Sequence, residues 1–472
     1  MSTKSNPYLI TINDKELLQQ TEVINENLEI VSDSIISNSI SNSYILPSNS
    51  NTLYTLDTSL SDGFIKTITS SKVVAIQIRT NNGTFILGND CNSVTLTSYN
   101  NQWFFISDVN RFLPSFESDK LIGSDSKFQG ISNSISSDGN ILAVGASNGV
   151  GAVLIYERNG DEWSEPIQLV GTGATGTTEQ GIGISLSADG NTLAVGGPGD
   201  NSSVGATWIF DKVDGEWSQT AKLVGTGATG QGFQGYAVSL SGNVLAVGAF
   251  ADNTNNGATW VFNKINDVWT QKTKLVGTGG TGISNQGKSV SLSADGNTLA
   301  IGGPSDNSNA GAVWIFKNVS DTWTQIGTKL LGTQGNRVGE DVVLSSDGNK
   351  LVAAGYNMTY IFNNDGNNIW NQQYKLLNSS YLGTATGVHI NLSVSADNTL
   401  IAYGNDGDND NIGAIWLFRQ DNGGNWVEKS KLISSNIGAS NQSSVSLSAD
   451  GNILVIGGYT DNTDVGAVWI WR

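Results

Sequence analysis

A short motif recurs along most of the chain and constrains its fold more than any other feature. The fullest copy reads Ser-Leu-Ser-Ala-Asp-Gly-Asn-Thr-Leu-Ala-Ile-Gly-Gly-Pro over 291–304. Repetition at about 50 residues is typical of propeller blades or solenoid turns. The asparagine that closes the turn of the motif marks seven copies, of which the sixth is shortened: Asn140, Asn191, Asn243, Asn297, Asn349, Asn398 and Asn452.

Each copy predicts four strands. An alternating segment at 290–292 meets the Asp-Gly-Asn turn, an apolar segment follows at 299–302, and Gly-Ala-Val-Trp-Ile-Phe occupies 311–316. A fourth segment opens at Trp323 and ends on Lys-Leu-Leu-Gly at 329–332. Alternation, β-branched and aromatic residues, and Asp-Gly between apolar runs are strand and hairpin signals. Seven such units predict a seven-bladed β-propeller over 111–472, so the fold class is all-β.

The last copy holds three of its four predicted strands. Its third strand is Gly-Ala-Val-Trp-Ile-Trp-Arg at 466–472, whereas Phe-Glu-Ser-Asp-Lys-Leu-Ile-Gly at 116–123 resembles the fourth strands that end at 222–225 and 274–277. We therefore expect an N-terminal strand near 116–122 to complete the last blade and close the ring.

The residues before the propeller predict two further segments. Residues 1–43 form an N-terminal arm, in which Asn13 to Glu16 reads as a capping box before a possible short helix and a linker. That helix either oligomerises the chain or docks as an arm. Residues 44–110 carry short apolar strands separated by Asp-Gly and Asn-Gly turns, which predicts a small β domain.

Composition excludes several classes of partner. The net charge is −18, from 42 acidic and 24 basic residues, and a strongly acidic chain is unsuited to nucleic acid or anionic lipid. No apolar run approaches the roughly 18 residues that span a bilayer, so membrane insertion is not expected. The N-terminus lacks a sustained apolar stretch, so we expect no secretory signal. Cys91 is the only cysteine, which excludes zinc sites built from several cysteines.

The repeats resemble those of FG-GAP proteins, the class that includes the head of the integrin alpha chain. One half of that motif corresponds to Gln-Gly at 129–130, 180–181, 234–235 and 286–287. The other half corresponds to Gly-Gly-Pro at 196–198 and 302–304, and more loosely to 145–147, 248–250 and 457–459. Members of this class that bind calcium use a long Asp-rich loop between the first two strands. Here that loop keeps one carboxylate, so we expect turn-formers and no calcium at Asp138, Asp189, Asp295, Asp347 and Asp450.

The small β domain resembles modules of fibre and capsid-decorating proteins from phages and large DNA viruses. The residues that carry this likeness lie at 62–68, 93–96 and 101–106. A generic β module is the alternative. The resemblance implies a component of a virus particle, at the capsid surface or in a fibre.

The predicted loops between second and third strands supply the candidate metal ligands. Five of these loops contain Asp-Asn, and only one is dense in acids, with Asp406, Asp408 and Asp410 alternating along it. These three could face one cation, so calcium is possible. A solvated turn is favoured, because the glycine hinge and distal glutamate of known calcium loops are missing.

Tryptophan recurs at two positions of the repeat. One series lies inside third strands and is expected in the core between blades. The other opens fourth strands and is a candidate for stacking on sugars, as in propeller lectins, with inter-blade packing as the alternative: Trp163, Trp217, Trp269, Trp323, Trp370 and Trp426.

Catalytic signatures are sparse. His389 is the only histidine, which removes paired-histidine metal sites and weakens histidine-based triads. The Asp-box of sialidase-type propellers is not met, and the propeller holds few arginines. Gly-Thr-Gly-Ala-Thr-Gly at 171–176 and 225–230 lacks the Lys-Ser/Thr of a phosphate loop, so we interpret it as a flexible connection between blades.

We therefore expect a non-enzymatic structural or binding protein without a cofactor, in which an acidic propeller binds protein or glycan partners. The expected partners are other virion proteins, a second copy of the chain or host glycans, and the expected location is the virion, made in host cytoplasm. A carbohydrate-binding propeller lectin and a glycoside hydrolase-like propeller are the alternatives.

Overall fold

A computed structural model of the 472-residue chain divides into two compact units, Met1–Phe112 and Leu113–Arg472. In the first unit it describes the backbone of eight strands. In the second it describes residues 113–114, 117–123, 128–332, 335–356, 358–377, 389–408, 410–421, 423–435 and 441–472.

The strands of the first unit form two sheets. The pairing orders are β1-β2-β4-β7-β8 and β3-β5-β6, with parallel pairs β1–β2, β2–β4 and β3–β5. Most of the predicted N-terminal helix lies outside the described residues, but Leu28 and Glu29 within it form a strand. The strands are β1 (Leu28–Glu29), β2 (Ser43–Leu46), β3 (Leu53–Thr55), β4 (Ile65–Ser70), β5 (Ile76–Thr80), β6 (Gly83–Leu87), β7 (Ser93–Tyr99) and β8 (Gln102–Asp108).

The second unit is a seven-bladed β-propeller, as the repeat predicts. Each blade is an antiparallel sheet, and the first strands of successive blades contact each other around the ring, including β10 with β36. Blades 1 to 3 contain β10 (Gln129–Ile135), β11 (Ile141–Ala146), β12 (Ala152–Asn159), β13 (Glu162–Trp163) and β14 (Ile167–Leu169); β15 (Ile184–Leu186), β16 (Thr192–Gly197), β17 (Ala206–Val213) and β18 (Glu216–Leu223); β19 (Ala237–Ser241), β20 (Val244–Ala249), β21 (Ala258–Ile265) and β22 (Val268–Leu275).

Blades 4 to 7 follow the same plan, and in blades 1 and 4 the predicted fourth strand is split in two. They contain β23 (Ser289–Leu292), β24 (Thr298–Gly303), β25 (Ala312–Val319), β26 (Thr322–Gln325) and β27 (Leu330–Leu331); β28 (Asp341–Leu344), β29 (Lys350–Ala354), β30 (Met358–Asn364) and β31 (Trp370–Leu377); β32 (Ile390–Val394), β33 (Leu400–Asn405), β34 (Ala414–Gln420) and β35 (Trp426–Leu432); β36 (Gln442–Leu447), β37 (Leu454–Gly458), β38 (Ala467–Trp471) and, from the N-terminal side, β9 (Glu117–Leu121).

The predicted closure is confirmed. Strand β9 pairs with β38, with Leu121 opposite Val468 and Lys120 opposite Trp469. After β9, the Gly123 N–H donates to Gln129 Oε1 at 2.6 Å. The same glycine–glutamine bond joins Gly171 to Gln180, Gly225 to Gln234 and Gly277 to Gln286. Strand β9 therefore serves as the fourth strand of blade 7, and the glycine that follows it is bonded to the next blade as the glycines after other fourth strands are.

The Ser-x-Asp-Gly-Asn turns behave as the sequence predicts. In blade 1, Ser136 Oγ donates to Asp138 Oδ1 at 2.6 Å, and the Asn140 N–H donates to the same oxygen at 3.0 Å. The Ser136 bond is the main cause that lowers the pKa of Asp138. The Asp138 carboxylate therefore accepts its hydrogen bonds from residues of its own turn.

Packing between blades is apolar and continuous. The third-strand tryptophans Trp208, Trp260, Trp314, Trp416 and Trp469 are fully buried, which confirms their predicted core position. They lie in clusters that combine residues from adjacent blades, for example Ile209 of blade 2 with Trp260 of blade 3. Wedge-shaped gaps between twisted sheets require such large side chains.

Candidate functional site

Loop aspartates of five blades are buried ion-pair partners. In the loop expected to be a solvated turn, Asp406 and Asp408 are buried and Asp410 is exposed, so that expectation holds only for Asp410. Asp200 is 1% exposed, and its Oδ2 lies 2.7 Å from Lys222 Nζ on the fourth strand. That ammonium also lies 5.0 Å from the centre of the Trp208 ring. The same Asp–Lys–Trp group occurs in five blades, with Asp200, Lys222 and Trp208; Asp252, Lys274 and Trp260; Asp306, Lys329 and Trp314; Asp408, Lys431 and Trp416; Asp461, Lys120 and Trp469.

Left-handed backbone places these aspartates. The four-residue turns α1 (Asp200–Ser203), α2 (Asp252–Asn255), α3 (Asp306–Asn309) and α4 (Asp461–Asp464) follow the second strands. Inside α1, Asn201 and Ser202 have φ of 49° and 56°. Asparagine tolerates this conformation better than other residues with a Cβ atom, which explains why Asn follows Asp in the motif.

The Gly-Thr-Gly connections are held by side-chain bonds, which corrects their interpretation as flexible. The Thr175 N–H donates to Asp200 Oδ1 at 2.7 Å, and Trp208 Nε1 donates to the Thr172 carbonyl at 2.8 Å. A Cβ atom on Gly171 would lie 2.3 Å from Cδ1 of the Trp208 ring. The glycine is therefore required so that the indole of the next blade can seal the connection.

The three candidate metal ligands do not converge on one point. Asp406 faces His389, Asp408 pairs with Lys431 at 2.6 Å, and Asp410 is exposed. Within the described ranges, no three His, Cys, Asp or Glu side chains are grouped so that they could hold a metal ion.

The fourth-strand tryptophans lie against the inter-blade clusters. Trp269, Trp323 and Trp426 are at most 9% exposed, and Trp163, Trp217 and Trp370 are half-buried. The indole nitrogens of all except Trp370 are buried without a hydrogen-bond partner. Such placement leaves little of these rings for stacking on a sugar.

A cavity of ≈ 220 Å³ lies where the first strands of blades 1 to 6 meet, at the centre of the ring. The side chains that follow Gly130, Gly181, Gly235, Gly287 and Gly339 line it and, apart from two isoleucines, differ in size and charge. They are listed in blade order as Ile131, Ile182, Tyr236, Lys288 and Glu340. Because the repeat is otherwise uniform, this variation marks a position that the fold does not fix. We define these residues, together with Asp341 and His389, as the channel mouth.

Blades 3 and 4 contribute an aromatic and basic cluster to the channel mouth. The Lys288 ammonium lies 2.6 Å from the Tyr236 hydroxyl and 4.0 Å from the centre of its ring. Phe250 packs edge-on to Tyr236 and stacks on Phe233, with ring centres at 4.8 and 5.5 Å. The lysine is thereby held against aromatic faces by cation–π attraction.

Blade 5 contributes two adjacent acids. Glu340 forms an ion pair with Arg337. Asp341 accepts hydrogen bonds from the N–H groups of Val342 at 2.8 Å and of Leu392 in blade 6 at 2.7 Å. Although Asp341 keeps some surface toward the cavity, burial raises the pKa of its carboxyl group to about 7, against the lowering effect of the two N–H groups.

Blade 6 contributes the only histidine. His389 Nδ1 lies 2.9 Å from the buried Asp406 carboxylate, and the Tyr459 hydroxyl lies 3.4 Å from both groups. Burial, together with the Asp406 charge, raises the pKa of Tyr459 to about 12. The imidazole is thus anchored through one nitrogen at the channel mouth.

Sequence reasoning did not identify the channel mouth. A signal was available, because the residue after the repeat glycine varies among isoleucine, tyrosine, lysine and, after Val338-Gly339, glutamate. Recurrence does not mark this position, because the residues that recur in this chain are structural.

Comparisons with known proteins agree with this architecture. The FG-GAP repeat family profile matches residues 217–262, which run from the fourth strand of blade 2 through most of the third strand of blade 3. The chain contains an FG-GAP repeat. This propeller is also similar to solved structures at low identity, which shows the fold alone. The Cps50 (Swd1) β-propeller domain of Myceliophteria thermophila shares 12% identity over 75% of this chain and 99% of that one, with a TM-score of 0.50.

A chain of a mitotic checkpoint complex shares 17% identity over 78% of this chain and 94% of that one, with a TM-score of 0.52. No curated protein matches the chain. An FG-GAP propeller is consistent with a binding or interaction role. None of these similarities bears on the expected viral module or virus particle.

Among the described residues, no helix has the length and apolar content that a membrane crossing requires.

Proposed function

We propose that the propeller is a non-enzymatic binding protein that docks a protein partner on its channel mouth. The observation that carries this proposal is a contrast between two sets of residues. The Asp–Lys–Trp groups recur in five blades, whereas the five equivalent residues of the channel mouth are two isoleucines, a tyrosine, a lysine and a glutamate. A surface that only closed the ring would not need that variety.

The electrostatics favour recognition over catalysis. The acids nearest the cavity are engaged, since Glu340 pairs with Arg337 and Asp406 faces His389. A glycoside hydrolase needs one carboxyl group to donate a proton and a second to act as base or nucleophile. Asp341 is held by two N–H groups, which suits an acceptor more than a nucleophile.

Site-specific photo-crosslinking tests the docking surface. A benzoylphenylalanine placed at Tyr236 or at His389 should form a covalent adduct with one discrete protein in the native host. The matched controls are Val213 and Ile265, exposed apolar residues on the outer hairpins of blades 2 and 3. Adducts formed at the controls but not at the channel mouth would contradict the proposal.

Turnover provides a separate test of the non-enzymatic role. Hydrolysis of aryl glycosides that disappears in Asp341→Asn would establish the hydrolase alternative instead. The expected location in a virus particle stays a prediction, and mass spectrometry of purified particles would test it.

A further inference from the structure

Asp341 breaks a pattern in the wall of the cavity. Asp341 lies opposite Ala354 on the second strand, and the residue at the equivalent position is uncharged in the other blades that line the cavity, for example Ser289 opposite Gly302 and Asn391 opposite Gly404. The full set in blades 1 to 4 and 6 is Ser132, Gly183, Ala237, Ser289 and Asn391. The carboxyl group of Asp341 is therefore the one charged group at this position of the repeat in blades 1 to 6.

The carboxyl group has capacity left for a ligand. Its two oxygens each accept one backbone N–H, which uses about two of the four lone-pair sites of a carboxylate. In the part of the chain that the structure describes, no Lys, Arg or His nitrogen lies within 4.0 Å of it. An ionised carboxylate that is partly stripped of water gains from a cation at the remaining sites.

The rest of the wall suits an aliphatic chain. Ile131 and Ile182 lie at the mouth, and further apolar side chains line the cavity beyond them, namely Ile184, Val238, Val290 and Ile390. An unbranched stem can bury its methylene groups against such a wall while its end reaches the carboxylate. The net charge of −18 also favours cationic partners.

We propose that the cavity receives a lysine side chain of the protein partner, whose ammonium group binds the Asp341 carboxylate while its stem packs on the isoleucines of the wall. This inference rests on the proposed docking function. Lysine fits better than arginine, because an ammonium group can bind through one remaining lone-pair site, whereas a bidentate guanidinium needs both oxygens and each of them already accepts an N–H. Lys288 at the rim disfavours a free diamine, whose second ammonium would meet a like charge.

Binding of a lysine mimic to the full chain tests the inference directly. Titration calorimetry with n-pentylamine should show binding that is at least about tenfold tighter than with n-pentanol, its neutral analogue. A blocked Gly-Lys-Gly peptide should bind at least as tightly as 1,5-diaminopentane. Equal binding of the amine and the alcohol, tighter binding of the diamine, or preference for hexanoate through Lys288 would overturn the proposal.

Variants locate the binding group. Asp341→Asn should lose about tenfold or more in affinity for n-pentylamine, and Asp341→Ser, which restores the residue found in blade 4, should lose as much. Asp365→Asn is the matched control, because it removes an acid from an exposed loop of the same blade. Circular dichroism verifies that each variant is folded. Unchanged amine binding in a folded Asp341 variant would refute the assignment.

The pH dependence supplies a further readout. The ionised form binds the ammonium, so affinity should rise by about tenfold from pH 6 to pH 8 as a carboxyl group of pKa about 7 loses its proton. The other titratable groups that line the cavity are Tyr236, Lys288, Glu340 and His389. The rise should persist in His389→Gln and vanish in Asp341→Ser; the reverse result would assign the effect to the histidine. Failure of amine binding with intact crosslinking at Tyr236 would refute this inference and leave the docking function standing.

Discussion

Blades 4 and 5 are neighbours built from the same repeat, yet they hold their connections by different chemistry. Blade 4 uses hydrogen-bonding and charged side chains on its strands and connections as anchors, namely Gln286, Ser291, Asp306, Trp314 and Lys329. Blade 5 has Val338, Val343 and Tyr360 at three of those positions, and its second strand ends at Ala354 so close to the start of the third at Met358 that the aspartate loop is absent there. Its core is nevertheless closed, with Val338 fully buried. Apolar packing therefore suffices to build a blade, and the polar anchors fix how each connection is sealed.

Blade 5 lacks a serine at one first-strand position, and this absence accounts for one of the two hydrogen bonds that Asp341 accepts. In other blades, a first-strand serine accepts the N–H of the next blade, as Ser291 does for Leu344 at 2.9 Å. Val343 takes the place of that serine, and Asp341, two residues earlier, accepts the Leu392 N–H. One side chain thus joins two blades and enters the cavity.

The largest expected effect concerns blade 7. This blade has the four strands and the Asp–Lys–Trp group of blade 4 only because β9, from the N-terminal side, supplies the fourth strand and the lysine. A chain beginning at Asp108 should remain a folded propeller, whereas a chain beginning at Ser124 should not. The second truncation removes β9, and with it the Lys120 ammonium, 2.7 Å from Asp461. It also removes ladder bonds worth about 1 kcal/mol each, against a total stability of roughly 5–15 kcal/mol. Thermal unfolding checks this, and equal melting temperatures would show that the ring closes without β9.

The next effect separates the anchored blades from blade 5. Lys274→Met leaves the Asp252 carboxylate, 1% exposed, without its cation, so we expect a loss of about 3 kcal/mol. Lys375→Met is the matched control, because Lys375 lies 5.7 Å from the centre of the Tyr360 ring and is exposed. Its loss should be about 0.5–1 kcal/mol. Chemical denaturation of both variants measures the difference, and similar losses would mean that the anchors add little to blade stability.

The fold followed from the sequence because blade geometry depends on patterns that repeat. Alternation, Asp-Gly turns and the likeness of 116–123 to other fourth strands were sufficient for blade number and closure. Burial of the loop aspartates does not follow from the local motif, because Asp200, for example, depends on Lys222, a partner 22 residues later across a strand pair. Each blade with Asp-Asn also has a lysine directly before a leucine near the end of its fourth strand, but that pairing becomes visible only when strands are placed side by side.

The channel mouth was harder to predict for a different reason. Five of its residues follow the glycine of the repeat but differ in identity, and only the closed ring brings Tyr236, Asp341 and His389 to one cavity. Asp341 in particular follows a Gly-Glu pair that looks like any surface turn. Its raised pKa depends on burial by neighbouring blades, which no single repeat encodes.

A third prediction uses pH to distinguish Asp341 from the turn aspartates. Its folded pKa of about 7 exceeds the ordinary value of 3.8, so the folded state holds the proton more tightly and stability should fall as pH rises from about 4 to 7. We expect a decline of about 2 kcal/mol. The full pKa shift would give more, at about 1.4 kcal/mol for each pKa unit, but the residue keeps some contact with water, which reduces the effect. Turn acids such as Asp138 and Asp347 have lowered pKa values and act at lower pH.

Denaturation of the wild-type chain and of Asp341→Asn at pH 5 and pH 8 measures this effect. The variant should lack the decline, and Asp365→Asn should keep it. A decline that is the same in all three chains would place the titrating group elsewhere.

The smallest effect tests whether Asp341 replaces the missing serine of blade 5. Asp341→Ser alone removes the acceptor for Leu392 and should cost about 1 kcal/mol. Val343→Ser alone loses apolar packing, since Val343 packs against the cluster that contains Leu392. The double variant reproduces the Ser-Val-Ser sequence of blade 4, so its loss should be smaller than the sum of the single losses by about 1 kcal/mol. If the two losses simply add, the bond to Leu392 is incidental, and the carboxyl group of Asp341 is present for the cavity alone.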